Sequence, residues 1–84
     1  MYYLYVLQSI ETEDRFYIGY TKDFRARVKA HNRGKSKSTR NSQWRLIYYE
    51  AYLTDSGARK REYRLKHNGK AKYQLLKRIK DSLE

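Results

Sequence analysis

YYLYVLQ (residues 2–8) and FYIGY (residues 16–20) are two runs rich in aromatic and β-branched side chains, and they decide the fold of this chain. Such runs are typical of β-strands. Residues 10–15 between them are mainly polar and acidic, which predicts a hairpin loop and therefore an antiparallel strand pair. Gly19 lies inside the second run, and it indicates either a β-bulge or a place where another group comes close to the backbone.

A helix is predicted directly after the second strand. Thr21 or Asp23 can cap it, because a side-chain oxygen at that point accepts a hydrogen bond from an N–H of the first turn. One face carries residues spaced i, i+3, i+4 and i+7, namely Phe24, Arg27, Val28 and His31. The apolar members turn this face inward, so we expect Arg27 to lie there rather than in solvent. Gly34 is expected to end the helix.

The middle of the chain predicts a loop and a third strand. Residues 33–43 contain no apolar side chain and are rich in Lys, Arg, Ser and Asn, which predicts a basic loop. Residues 44–53 predict a strand. Its two faces are expected to hold Leu46 with Tyr48, and Ile47 with Tyr49.

Two helices are predicted to complete the chain. Thr54 or Asp55 caps the first of them, and Gly69 ends it. Its inner face is expected to hold Ala58, Glu62 and Leu65. The apolar stripe of the last helix is expected to hold Leu76, Ile79 and Leu83. The resulting order, ββαβαα, predicts an α+β fold in a single domain over residues 1–84, with helices flanking a three-stranded antiparallel sheet.

The chain is strongly basic. Its 84 residues carry a formal net charge of +11, with a pI near 10.0. Such a field attracts polyanions, of which nucleic acid is the commonest. A cationic surface that only keeps the protein in solution is the open alternative. An acidic membrane surface has no support, because no segment joins a basic face to a large exposed apolar face.

Cysteine is absent from the sequence. Its absence excludes disulfides, cysteine-ligated zinc fingers and thiol nucleophiles. No apolar stretch is long enough for a membrane helix, and the sequence opens on a predicted strand rather than a signal peptide. We therefore expect no membrane association and a cytoplasmic location.

The strand motifs match a known family. Tyr3-Leu4-Tyr5 is a variant of Gly-Ile-Tyr, and Tyr17-Ile18-Gly19 is an intact Tyr-Ile-Gly. Over nearly its full length the chain resembles the GIY-YIG nuclease domain, above all its small stand-alone bacterial members. The N-terminal nuclease of the bacterial excision-repair enzyme and the catalytic part of structure-specific junction endonucleases are also similar. The family's helix arginine, its next helix position and its metal-binding glutamate match Arg27, His31 and Glu62.

The resemblance implies hydrolysis of a phosphodiester with one Mg²⁺ or Mn²⁺ ion. It makes Glu62 the metal ligand, and a carboxylate oxygen suits Mg²⁺. Tyr17 or Tyr5 would take the proton from water, and Arg27 would clamp the phosphate through its forked guanidinium. His31 would orient a phenol, relay a proton or touch phosphate. The structural alternative for the glutamate is a salt bridge within its helix, to Arg59, Arg61 or Lys66.

Further residues are candidates for contacts with nucleic acid. They are Tyr20, Lys35, Lys37, Arg40 and Lys72. Contacts with the phosphate backbone give affinity without sequence information, so we expect structure-directed or weakly specific cleavage. The resemblance implies a DNA endonuclease of repair or recombination, with RNA also open as a substrate. The alternatives are a nucleic-acid-binding module that needs a partner protein for cleavage, and a cationic interaction protein.

Overall fold

Three strands and three helices follow one another in the predicted order. The computed structural model describes residues 1–34 and 42–83. The elements are β1 (Tyr2–Ser9), β2 (Phe16–Thr21), α1 (Phe24–Asn32), β3 (Trp44–Tyr52), α2 (Asp55–His67) and α3 (Gly69–Leu83). The α+β class and the order ββαβαα are therefore confirmed.

β1 is the central strand of a three-stranded sheet. The strand order is β2-β1-β3, and both strand pairs are antiparallel. The fully buried side chains of β1 are Leu4, Tyr5, Val6 and Leu7. They are buried in succession because helices cover both faces of the sheet. α2 and α3 cover one face through Leu65, Leu75 and Ile79, and α1 covers the other through Phe24 and Val28.

The expected alternation of faces in β3 is wrong, because the strand contains a β-bulge. Val6 lies opposite Tyr48 but Leu7 lies opposite Leu46, so Ile47 is an additional residue in the ladder. The bulge regroups the side chains. Leu46 and Tyr49 pack on the α1 face, and Ile47 and Tyr48 pack on the α2–α3 face. The irregularity lies here and not at Gly19 in β2.

Side-chain caps fix the beginnings of α1 and α2. Asp23 is the N-cap of α1, and its carboxylate accepts a hydrogen bond of 3.1 Å from the Ala26 N–H. Thr21 supports this cap, because its hydroxyl oxygen accepts from the Asp23 N–H. Thr54 is the N-cap of α2. Gly34 ends α1 as predicted, with a φ of 76° that favours glycine.

Asn68, and not Gly69, ends α2. The Asn68 N–H donates to the Arg64 carbonyl, while its side-chain oxygen accepts from the Ala71 N–H at 3.1 Å. Asn68 thus closes α2 with its backbone N–H and caps the start of α3 with its side chain. Gly69 consequently lies in the first turn of α3.

The buried stripe of α3 differs from the predicted one. Leu75 and Ile79 are buried, whereas Leu76 is only partly buried and Leu83 is 43% exposed. Leu83 is exposed because the last turn faces the loop between β1 and β2, around Asp14, rather than the sheet. Within the described residues, no helix is both long and apolar enough to span a bilayer.

A hydrogen-bonded carboxylate joins β3 to α2. Glu50 accepts hydrogen bonds from the hydroxyls of Tyr48 and Tyr52 at 2.5 and 2.6 Å, and from Arg61 at 2.9 and 3.1 Å. Burial opposes ionisation of Glu50, but these donors outweigh it and hold its pKa below the usual range. Burial and the Glu50 carboxylate raise the pKa of Tyr52 to about 12. Both phenols therefore stay protonated donors at neutral pH.

We expect Arg61→Ala to destabilise the fold by about 1–3 kcal/mol, because it leaves the half-buried Glu50 without its cation. Chemical denaturation would measure the loss. Arg59→Ala is the matched control on the same helix. Its ion pair with Asp55 is largely exposed, with side chains 63% and 45% accessible, and should contribute less than about 0.5 kcal/mol. Equal losses in the two variants would contradict the role of Glu50.

Candidate active site

Tyr5 lies at the centre of the candidate site, with its ring folded over the backbone of Gly19. The two residues are paired across β1 and β2. A Cβ atom on residue 19 would lie 2.5 Å from the Tyr5 hydroxyl oxygen and 2.7 Å from its Cζ. No side chain fits at that distance. Of the two interpretations of Gly19, close approach is therefore the correct one.

Tyr17 and His31 complete a cluster of three rings with Tyr5. The Tyr17 and His31 ring centroids are 4.6 Å apart, and the Tyr5 centroid lies 6.3 Å from Tyr17 and 6.2 Å from His31. A hydrogen bond of 3.1 Å joins the Tyr5 hydroxyl to His31 Nε2. β1, β2 and α1 each contribute one ring, so the cluster forms only when the hairpin and the helix pack together.

Burial keeps both members of this hydrogen bond neutral at pH 7. His31 is 1% exposed, and burial, together with the Arg27 charge, lowers its pKa below 6.5. Burial raises the pKa of the Tyr5 phenol above 10, although its interaction with Arg27 opposes the rise. The imidazole tautomer decides the direction of the bond: an unprotonated Nε2 accepts from the Tyr5 hydroxyl, and an Nε2–H donates to it.

Arg27 is the cation next to this cluster. Its interaction with the Tyr5 hydroxyl raises the pKa of Arg27, and Tyr17 adds to the rise. The residue as a whole is exposed, which differs from the inward position expected for it. Its guanidinium nevertheless interacts with the phenols of Tyr5 and Tyr17. Among the described residues, no carboxylate forms an ion pair with Arg27.

Glu62 reaches the cluster from α2, which packs on the opposite face of the sheet. Its negative charge acts on the Tyr5 phenol and contributes to the raised pKa of Tyr5. Lys66 lies between the carboxylate and the rings. Its Nζ is 3.4 Å from Glu62 Oε2 and 5.5 Å from the centroid of the Tyr17 ring. Because β2 is an edge strand, side chains of α2 reach past it to Tyr17.

A shallow depression of about 390 Å³ adjoins Glu62. Its other lining residues are Tyr20, Arg59, Lys60 and Tyr63. The Arg59 guanidinium lies over the Tyr20 ring, 5.7 Å from its centroid. Two cations and two aromatic rings thus surround the carboxylate.

Comparison with known proteins assigns the family. The model of the GIY-YIG catalytic domain matches residues 1–74. The chain belongs to the GIY-YIG family. It is similar to a UPF0213 protein of Staphylococcus aureus strain Mu3, to UPF0213 protein SAV0488 of strain Mu50 and to UPF0213 protein SA0446 of strain N315. Each is 38% identical over 79 residues, covering 90% of this chain and 94% of the relative. No solved structure gives a significant match.

The GIY-YIG catalytic domain defines a family of nucleases, so the cluster can be compared with what cleavage requires. Within the described part of the chain, no group of three or more His, Cys, Asp or Glu side chains could enclose a metal ion. A single carboxylate such as Glu62 is sufficient for Mg²⁺, which commonly takes one or two protein carboxylates and completes its shell with water and phosphate. The donor set therefore fits an ion that is bound together with substrate.

Several candidate residues lie apart from the cluster of three rings or outside the described residues. Lys35, Lys37 and Arg40 lie outside the described residues. Lys72 is exposed in the first turn of α3. Gln74 lines a different depression together with Arg61 and Arg78. The sequence does not reveal that Lys66 lies beside the cluster. Its i+4 spacing from Glu62 indicates only a salt bridge within α2.

Proposed function

We propose that this protein is a metal-dependent endonuclease that hydrolyses phosphodiester bonds in DNA. The observation that carries the proposal is the convergence of four side chains, from three elements, on the Tyr5 phenol. Tyr17, His31 and Arg27 contact or act on Tyr5, and the charge of Glu62 reaches it as well. Hydrolysis needs a proton acceptor, positive charge for the phosphoryl oxygens and a stabilised leaving group, and this cluster offers groups for each.

The burial of the two phenols separates their roles. Tyr17 is partly exposed, so water can reach it, and we assign it the proton of the attacking water. Tyr5 is fully buried and protonated, which suits a residue that orients His31 and Arg27. Arg27 carries a charge that no described carboxylate neutralises, so it can clamp a phosphate oxygen. Glu62 would hold Mg²⁺ or Mn²⁺, which supplies further positive charge when bound.

The net charge of +11 supports a polyanionic substrate. Contacts with the phosphate backbone carry no sequence information, so structure-directed or weakly specific cleavage is part of the proposal. Tyr20 and Lys72 are the described candidates for further contacts. A role in repair or recombination, a cytoplasmic location and a partner protein that adds specificity remain predictions.

Nicking of supercoiled plasmid in Mg²⁺ or Mn²⁺ tests the proposal. We expect Tyr17→Phe to lower the nicking rate about 10²-fold, because it removes only the hydroxyl that takes the proton of water. Tyr73→Phe on α3 is the matched control, since Tyr73 is 66% exposed and removed from the cluster. Equal rates for Tyr17→Phe and the parent would refute the role of the phenol. A parent that binds DNA without nicking it would favour the binding module that needs a partner protein.

A further inference from the structure

A second basic depression lies between α2 and α3. Its volume is about 220 Å³, and its lining residues are Arg61, Arg64, Ala71, Gln74, Leu75 and Arg78. Three of these side chains carry a guanidinium group, one carries a carboxamide and two are apolar. The mechanism proposed above uses none of them.

This depression lies on the other flank of α2 from the candidate active site. Successive residues of a helix are rotated by about 100°, so Glu62 and Lys66, four apart, share one flank. Arg61 and Arg64, three apart, share another, and the buried Leu65 lies on the helix face that meets the sheet. A ligand in this depression would therefore not occupy the depression beside Glu62.

The guanidinium groups of the depression carry net positive charge. The charge of Arg61 is balanced by Glu50, which accepts two hydrogen bonds from it and so fixes Arg61 as one wall of the depression. Arg64 and Arg78 form no ion pair with any described residue. The Arg78 charge also reaches the neighbouring Tyr48 phenol, where it opposes the rise of that pKa. Two uncompensated guanidiniums beside a neutral amide donor match the several acceptor oxygens of one phosphate group.

We propose that the depression formed by Arg61, Arg64, Gln74 and Arg78 binds a backbone phosphate of the nucleic acid, away from the bond that is cleaved. The inference rests on the proposed function for the identity of the ligand. Arg64 and Arg78 provide the charge, Gln74 donates through its amide, and Arg61 is held by Glu50 as a fixed wall. Such an interaction adds affinity and sets the orientation of the DNA without taking part in the reaction.

The test measures binding separately from cleavage. A fluorescein-labelled DNA duplex with a single-stranded arm is titrated with the Glu62→Gln protein, over a series of salt concentrations. Adding Arg64→Gln and Arg78→Gln should lower the slope of log affinity against log salt by about 0.9 for each phosphate that is no longer neutralised, and weaken binding roughly tenfold at low salt. The matched control carries Arg25→Gln and Lys29→Gln on α1, which remove the same charge from another helix.

Two further readouts decide the inference. Inorganic phosphate should shift the NMR signals of the Gln74 side-chain amide, and the double substitution should abolish the shift. With Glu62 intact, nicking at saturating DNA should stay within about twofold of the parent, since these arginines do not contact the bond that is cleaved. An equal drop in affinity in the α1 control, or no drop in either double variant, would overturn the inference. Failure of every variant to bind DNA would instead remove the proposed function on which it rests.

Discussion

Glu62→Gln should abolish metal-dependent nicking, with a fall of about 10³-fold or more, while DNA binding is kept. The substitution preserves the volume of the side chain but removes the charge that attracts a divalent ion. If the ion contributes several kcal/mol to the transition state, each reduction of about 1.4 kcal/mol is a tenfold fall in rate. Binding should persist or tighten slightly, because the substitution removes one negative charge from a basic surface.

Folding provides the control for this expectation. The ion pair of Glu62 with Lys66 is partly exposed, at 22% and 44% of the two side chains, so its removal should cost at most about 0.5 kcal/mol. Thermal unfolding should therefore be nearly unchanged. Glu13→Gln, at an exposed carboxylate in the β1–β2 loop, should leave both nicking and binding intact. Nicking by Glu62→Gln at the parental rate would assign the activity to a contaminant or to another metal ligand.

The sequence predicted the elements of this fold well where the local pattern is unambiguous. The strands β1 and β2 follow from their aromatic runs, and the sequence narrows the N-caps of α1 and α2 to two nearby candidates each, of which the structure uses Asp23 and Thr54. The bulge at Ile47 could not be predicted, because strict alternation along β3 is the default, and only pairing with β1 reveals the extra residue. The role of Asn68 could not be predicted for a related reason, since one residue serves two helices, through its backbone N–H at the end of α2 and its side chain at the start of α3.

The sequence indicates which residues form the candidate site, but it does not predict which of their side chains are in contact. Spacing placed His31 one turn after Arg27, but only packing brings it within 3.1 Å of the Tyr5 hydroxyl in a fully buried position. The spacing of Lys66 in the sequence likewise does not predict its long-range contact. Its spacing from Glu62 indicates a helix pair, whereas its position over the Tyr17 ring depends on how α2 crosses the edge of β2. Sequence motifs therefore indicate the chemistry, and long-range packing determines which groups meet.

We expect Gly19→Ala to reduce nicking about 10²-fold and to destabilise the fold by about 1–3 kcal/mol. The new Cβ would lie 2.5 Å from the Tyr5 hydroxyl oxygen, and also 2.7 and 3.0 Å from two ring carbons. Tyr5 is 0% exposed, so its ring cannot turn away into solvent. The ring or β2 must shift by several tenths of an ångström, and either shift disturbs the hydrogen bond to His31.

Gly69→Ala separates this clash from the general effect of replacing a glycine. Both substitutions restrict the unfolded chain by the same amount, which by itself favours folding. At Gly69 nothing lies within 4 Å of the added Cβ, and alanine suits the first turn of α3, so stability should hold or rise. The difference between the two variants in denaturant unfolding therefore measures the clash between residue 19 and Tyr5. If Gly19→Ala unfolded and nicked like Gly69→Ala, the Tyr5 ring would have room to move, and the close packing that positions His31 would not be required for cleavage.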